Sequence, residues 1–544
     1  MNNFAGYLFF PIVLFNGTDA FGQETKMMKP NIIFIITDDQ SPIPIDKMKC
    51  SQSRPFGFNG DDYVHTPNID SLAKNGLVFS RAYVSSTVCS PSRYTTLTGR
   101  YAGRCQGSRF MKLHPAGTQT RIENNTELED EKENLPRLLK QAGYRTGFVG
   151  KSHVVDHHLL RKSNWEANGL MTYVPDADPK DNLVAEAMTN NHAFWVSRIK
   201  EFGFDYANAV YAANLRELYN DSVNVHNVEW INNAALDFID DANDKPFFLY
   251  LSETIPHGPA PWIKRNGKYE YGLDANPRFT GEGYVDYDFG FMPQRDSIKT
   301  EIENMNNKDP DHSWLFWFDH AVGAIVKKLK EKGVYENTLI VITADHGNYN
   351  FGKSTLYEGG VKVPLLMHWP AGISNPGSVY DELVQNIDFV PTLVDLAGSN
   401  NISSMELDGV SLKGVLQGNE EPVHDYLFFE LGYARAVATK EWKYITLRYD
   451  PETEKLINKG VSFGGWEGRV LEQPYYVRNS HLGYHATLFH SNYFSRDQLY
   501  NLINDPEEKI NIFDENNEKL HELRGLLIQS LKTFENRPYG EFVE

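Results

Sequence analysis

Two short apolar runs constrain this chain more than any other feature. Residues Asn31–Asp39 read NIIFIITDD and Thr338–Gly347 read TLIVITADHG. Both are continuously apolar rather than alternating, the pattern of a strand covered on both faces, as in parallel sheets. Each ends in groups that a buried strand interior does not keep, Asp38 and Asp39 in the first and Asp345 and His346 in the second. In open α/β sheets the active site lies beyond the carboxyl ends of the strands. The two runs therefore predict a sheet and the edge of it where chemistry is placed.

Thr146–Lys151 (TGFVGK) and Pro246–Ser252 (PFFLYLS) read as further buried strands. Helical patterns lie between them. Leu135, Leu138, Leu139 and Ala142 share one face of a segment closed by Gly143, and Trp314–Gly333 is a longer pattern with lysines in its last turns. The expected fold class is α/β, a large mostly parallel sheet flanked by helices. After about residue 425 the character changes. Ala434–Asp450 reads as antiparallel strands and Glu518–Phe534 as an amphipathic helix. The expected division is a main domain over residues 23–425 and a smaller C-terminal subdomain, antiparallel sheet plus helix, over 426–544.

Residues 1–22 read as an export signal. Phe4–Phe15 is an apolar run too short to span a bilayer, and Ala20 and Gly22 supply small residues for cleavage after Gly22. The expected location is therefore outside the cytoplasm, periplasmic or secreted, with no integral membrane span. A formal net charge of −19 excludes general binding to nucleic acid or to anionic membranes. An anionic substrate would need cations gathered locally against that field. Of the three cysteines, Cys50 and Cys105 either pair after export or stay as buried thiols, and no C-x-x-C pair is present.

Three carboxylates and an imidazole at two strand ends suit a hard cation such as calcium or magnesium; zinc would call for more histidines. One strand-end Asp would be read as a turn cap, whereas two matched pairs point to a metal. Other strand ends bring cations and imidazoles: Lys151 and His153 in GKSH, His257 in ETIPHGPAPW, and Lys353 in FGKSTLYEGG. In an extended loop the Lys151–His153 spacing directs both side chains the same way. Cys89 stands in SSTVCSPSRYTTLTGRY, where helix formers follow Arg93, so it is expected at a helix N-terminus, a place that favours anions.

These blocks, taken in order, resemble the formylglycine-dependent (type I) sulfatases of the alkaline phosphatase superfamily, in particular the bacterial polysaccharide sulfatases. CSPSRYTTLTGRY is similar to their C-x-P-x-R…TG motif, and PNIIFIITDD, GYRTGFVGKSH, IPHGP, TADHGNYNFGKSTLYEGGVKVPLLMHWP and LYNLINDPEEKIN follow their other blocks, from about residue 29 to 515. Ser152, Val154 and Val155 stand where the family commonly has Trp, Leu and Gly.

The resemblance implies an enzyme that hydrolyses sulfate esters, on a sulfated polysaccharide or oligosaccharide. It implies oxidation of Cys89 to Cα-formylglycine (3-oxoalanine) by a formylglycine-generating or anaerobic sulfatase-maturating enzyme, for which Pro91 and Arg93 fit the recognition pattern. The hydrated aldehyde would attack sulfur and later expel sulfate, splitting one hard step into two. It further implies Ca2+ held by Asp38, Asp39, Asp345, His346 and the modified Cys89. Arg93 and Lys151 would steady the modified residue, and Lys151 and Lys353 would hold the sulfate. His257, assisted by Lys353, would protonate the leaving oxygen, and His153 would be the base of the elimination step. The rival activities are a phosphodiesterase or phosphonate monoesterase of the same superfamily, and a non-catalytic glycan-binding protein on this scaffold.

Two weaker signals remain. The aromatic-rich stretch Tyr269–Phe291, with Tyr284 and the preceding Trp262, would either stack on sugar rings or pack on itself. His481, His485 and His490 have no carboxylate at ligand spacing and are expected at the surface or the substrate rim rather than on a second metal.

Overall fold

The computed structural model describes residue 1 and residues 29–42, 66–242, 245–259, 264–265, 268–269, 272–304, 310–348, 352–399, 406–459, 463–464, 470–471 and 490–543. The expected signal segment, Cys50, Trp262, His481 and His485 lie outside the described residues.

Eight strands form the main sheet: β1 (Asn31–Asp38), β2 (Leu77–Phe79), β3 (Arg145–Lys151), β4 (Tyr206–Tyr211), β5 (Phe247–Pro256), β6 (Thr338–Ala344), β7 (Leu365–His368) and β8 (Ser378–Tyr380). Their order across the sheet is β8-β2-β7-β6-β1-β5-β3-β4. The five strands from β6 to β4 are mutually parallel, while β7 runs antiparallel to both β6 and β2. The expected α/β class therefore holds, with mixed pairing at one edge.

Alternation along each strand divides the interior into two layers. Ile32, Phe34 and Ile36 of β1 join Phe148, Tyr250 and Val341 in one core, together with α2 (Cys89–Thr98), α3 (Leu135–Gln141), α4 (Asn182–Glu201) and α7 (Phe389–Leu396). Ile33 and Ile35 face the other way, with Leu249, Leu251 and Ile340, onto α1 (Pro67–Lys74), α5 (Val228–Asp240) and α6 (Pro310–Glu331). Successive strand side chains point to opposite faces, so a sheet covered on both faces needs an apolar residue at every position. That is why these strands read as unbroken runs.

A second, four-stranded antiparallel sheet is formed by β9 (Leu427–Leu431), β10 (Ala434–Ala438), β11 (Trp442–Leu447) and β12 (Asp497–Asn501). One face, with Phe428, Val437, Tyr444 and Leu499, packs on α8 (Asn517–Leu531). The other face, with Phe429, Leu431, Ala436 and Ile445, packs on Tyr83, Val88, Leu356, Tyr357 and Val361 of the main body. The segments carrying Cys89 and Lys353 are thus clamped between the two sheets.

Candidate active site

Register brings the acidic strand ends together. β1 and β6 pair in parallel up to Thr37↔Ala344, and the Asp345 amide donates to the Thr37 carbonyl at 3.0 Å, so Asp38 and Asp345 emerge side by side. On the other flank of β1 the pairing shifts after Ile36, placing Asp38 against Pro256, the residue before His257. Beyond β5, Gly150 pairs with Ser252, which sets Lys151 at the same edge. Asp39 has a left-handed backbone (φ 65°), and its amide donates to Asp345 Oδ1 at 3.0 Å.

Cys89 opens α2, whose ten residues are all buried. The segment leading to it is fixed from both sides. The Val84 amide donates to the Val361 carbonyl and the Ser354 amide to the Thr87 carbonyl, while the Ser85 amide donates to Asn386 Oδ1. The Cys89 Sγ lies 3.7 Å from Asp38 Oδ1, 3.5 Å from Lys151 Nζ and 3.9 Å from Lys353 Nζ. Burial pushes its thiol up to about 12 despite the two lysines, so an unmodified Cys89 is protonated and a poor nucleophile at neutral pH.

The charges around it interlock. Lys151 Nζ lies 2.5 Å from Asp38 Oδ2 and donates to Asn214 Oδ1 at 2.8 Å. Lys353 Nζ is 2.8 and 3.0 Å from the two oxygens of Asp39. Arg93 pairs with Asp345 Oδ2 through Nε (3.1 Å) and Nη2 (3.0 Å), and its Nη2 is 3.5 Å from Asp38 Oδ1. Burial works against the Asp38 carboxylate, but Lys151, His257, Arg93 and Lys353 together hold it well below the usual range.

One ligand atom each from Asp38, Asp39, Cys89 and His346 lies within 4.8 Å of the others, and all four residues are buried. The His346 Nε2 makes no hydrogen bond, although Asp39 Oδ1 is 3.4 Å away and Asp345 Oδ1 3.7 Å. A buried imidazole nitrogen without a partner, facing carboxylate oxygens, fits a cation held at this point. The Asp345 carboxylate stands beside this group, turned toward Arg93.

Both remaining histidines are held neutral. Burial, with Lys151, His157 and Arg93 nearby, sets His153 well below the usual value, and its Nδ1 has no hydrogen-bond partner. His153 has a left-handed backbone (φ 57°), so the expectation of an extended Lys151–His153 loop does not hold. His257 follows β5 and is half-buried; burial and then Lys353 lower it to about 3.

The structure therefore gathers Asp38, Asp39, Cys89, Arg93, Lys151, Asp345, His346 and Lys353 by direct contact, with His153 and His257 at the margin. It adds residues that the sequence did not single out. Asn214 follows β4 and orients Lys151, and His157 reaches the His153 carbonyl at 2.8 Å and Ser90 Oγ at 3.3 Å. No motif marks either: Asn214 is 63 residues from Lys151 and His157 is 67 from Ser90, and only the fold brings each pair together. The other signals prove structural within the described residues. Tyr284 accepts from Arg278 at 3.2 Å and meets Phe279 edge-on, so this part of the aromatic stretch packs on itself. His490 is buried rather than at the surface, stacked on Tyr357 at 3.8 Å. Cys105 is buried, with its thiol toward the Glu127 carbonyl.

A cavity of about 830 Å³ opens between Leu113–Arg121 and the C-terminal segments, lined by Arg121, Arg448 and Arg496 but also by Asp450, Glu452, Glu454 and Glu541. The acids outnumber the guanidiniums, so it does not suit a polyanion. No helix among the described residues is long and apolar enough to cross a membrane.

Comparison with known proteins agrees with this arrangement. The sulfatase family profile matches residues 30–169 and 180–399, and the profile for the C-terminal part of N-sulphoglucosamine sulphohydrolase matches residues 344–460. An arylsulfatase of Clostridium perfringens is 26% identical over 452 residues, covering 77% of this chain and 85% of the relative. Human N-acetylglucosamine-6-sulfatase is 26% identical over 438 residues, covering 75% and 68%. An ulvan-active sulfatase of Formosa agariphila is 24% identical over 428 residues, covering 77% and 66%. The fold matches the solved structure of Ps i-CgsB in complex with k-i-k-neocarrahexaose, with a TM-score of 0.55, 24% identity and 94% of both chains covered. With the family profile running through the main sheet and over every residue of the Cys89 cluster, this chain belongs to the sulfatase family.

Proposed function

We propose that this enzyme hydrolyses sulfate esters on a sulfated carbohydrate, using Cys89 in its formylglycine form beside a bound calcium ion. The observation that carries the reading is the convergence on Cys89, at the start of a buried helix, of Asp38, Lys151 and Lys353 within 4 Å. A thiol held near 12 has no use for so much preorganised charge, whereas an aldehyde hydrate does. Carbohydrate substrates are supported by the relatives named as acting on ulvan and N-acetylglucosamine, and by a solved structure of a protein of this fold in complex with D-glucosamine-2-N,6-O-disulfate.

Asp38, Asp39, His346 and residue 89, with Asp345 alongside, are the groups that would hold the cation. When bound, it polarises the sulfuryl group and favours the ionised hydroxyl of the modified residue. Lys151 and Lys353 are placed to leave their carboxylate partners for sulfate oxygens. Arg93 fixes Asp345 and Asp38. His257 rests neutral, and an anionic ester raises its affinity for the proton it delivers to the leaving oxygen. His153, neutral and with a free Nδ1, is suited to accept the proton of the second step. We also read the chain as exported through its first 22 residues, and residues 426–544 as a C-terminal subdomain whose sheet packs on the segment that carries Val88.

The test is a parallel assay of matured enzyme on aryl sulfate, phosphodiester, phosphonate ester and sulfated oligosaccharides, with intact mass confirming loss of the Cys89 sulfur. Sulfate release should dominate, and Cys89→Ala should lower it at least about 10⁴-fold. Chelation should abolish activity and lower the melting temperature, with calcium restoring both. A dominant phosphodiesterase rate, or full activity in Cys89→Ala, sinks the reading.

A further inference from the structure

His226 touches none of the cluster residues by hydrogen bond, yet it is fully buried and both of its ring nitrogens are committed. Nε2 lies 2.7 Å from the carbonyl oxygen of Pro259, and Nδ1 lies 2.9 Å from Thr254 Oγ1. A carbonyl only accepts, so Nε2 carries the proton; the neutral ring then leaves Nδ1 to accept from the Thr254 hydroxyl. Burial lowers the ring to about 4, so this neutral form is the one present at pH 7.

The two partners bracket His257, Thr254 three residues before it and Pro259 two residues after. One rigid ring therefore ties both ends of the turn that carries His257. The turn's own contact, His257 Nδ1 to the Gly258 carbonyl at 2.8 Å, is local and fixes nothing to the rest of the protein. His226 itself stands on firm ground. The next residue, Asn227, caps α5 by accepting from the Trp230 amide at 2.9 Å, and its Nδ2 donates to the carbonyls of Pro277 (2.5 Å) and Phe279 (2.9 Å).

We propose that His226 is a positioning residue that holds His257 in register with the leaving oxygen of the sulfate ester, an inference that rests on the leaving-group role given to His257 above. A tie that only stabilised the fold would affect all substrates alike. A tie that aims a proton donor matters most when the leaving group is a poor one, because good leaving groups depart without protonation.

The experiment uses full-length matured enzyme on 4-nitrophenyl sulfate, phenyl sulfate and an alkyl or sugar sulfate, comparing wild type with His226→Ala, His226→Gln, Thr254→Val, Thr254→Ser and His257→Ala. Expected for His226→Ala is a kcat loss of about 100-fold on the poorest leaving group and less than about 5-fold on 4-nitrophenyl sulfate, with KM within about 3-fold. His226→Gln keeps a donor toward Pro259 and should recover part of the loss. Thr254→Val should fall between, and Thr254→Ser should match wild type. An equal loss on all substrates, or none, in His226→Ala overturns the proposal; if that variant does not fold, the same comparison between Thr254→Val and Thr254→Ser decides it. If His257→Ala itself leaves the leaving-group dependence unchanged, the role of His257 fails and this proposal with it. If His257→Ala steepens that dependence and His226→Ala does not, His226 alone is refuted.

Discussion

His424 Nε2 sits 2.9 Å from both oxygens of Asp388, whose carboxylate is fully buried. Burial favours the neutral ring, but the hydrogen bond and charge of Asp388 outweigh it and raise the His424 pKa. A folded-state pKa above the unfolded one, near ~6.5, gives stability that is fully present below that value and fades as pH rises through the folded one. His424→Gln should therefore cost about 1–2 kcal/mol more at about pH 5.5 than at about pH 9, read from urea midpoints at each pH. A deficit that grows with pH would contradict the assignment. At this scale the sequence was informative where a residue type was improbable for its setting. Asp38, Asp39 and Asp345 close apolar strands, and Cys89 and Arg93 sit in a dense polar motif. Asn214 and His226 were invisible because an asparagine or histidine after a turn is unremarkable until its partner, decades of residues away, is known.

Strands buried on both faces were readable, and short or irregular ones were not. β1, β3, β5 and β6 each announce themselves by an apolar run, but β4 reads YANAVY and carries a left-handed residue at Ala209 (φ 49°). The last three strands on one side of the sheet, β7, β2 and β8, have three or four residues, too few for a period to show. Nor could a pattern foresee how elements lock together. Lys443 of β11 is completely buried between Glu358, at 2.8 Å, and Glu508, at 2.9 Å. Burial raises Glu508 to about 7 against the pull of Lys443, while Lys443 holds Glu358 below its usual value in spite of burial. Lys443→Met would leave two carboxylates facing each other without the lysine between them, at a cost of about 3–5 kcal/mol. Denaturant unfolding checks this, and adding Glu508→Gln should recover a good part. A loss below about 1 kcal/mol would mean that the pair is solvated.

For the molecule as a whole, the long-range charge and the site charge are separate matters. The formal net charge is −19, yet in the cluster Arg93, Lys151 and Lys353 balance Asp38, Asp39 and Asp345 one for one. Composition bears on the kinds of partner to expect and was silent about the site. It was equally silent about how the second sheet sits: the change of pattern near residue 425 marks a smaller C-terminal subdomain, and β9–β12 bury one face on α8 and the other on the segments around Cys89 and Leu356. A sheet wetted on neither side has no independent melting. Calorimetry should accordingly show one cooperative transition instead of two. A chain cut at residue 425 would bare Val88, Leu356, Tyr357 and Val361 to water, an apolar face right beside Cys89. For this fold, then, the cluster around Cys89 has no smaller version: the sheet β9–β12 is the lid of the core on which its side chains stand.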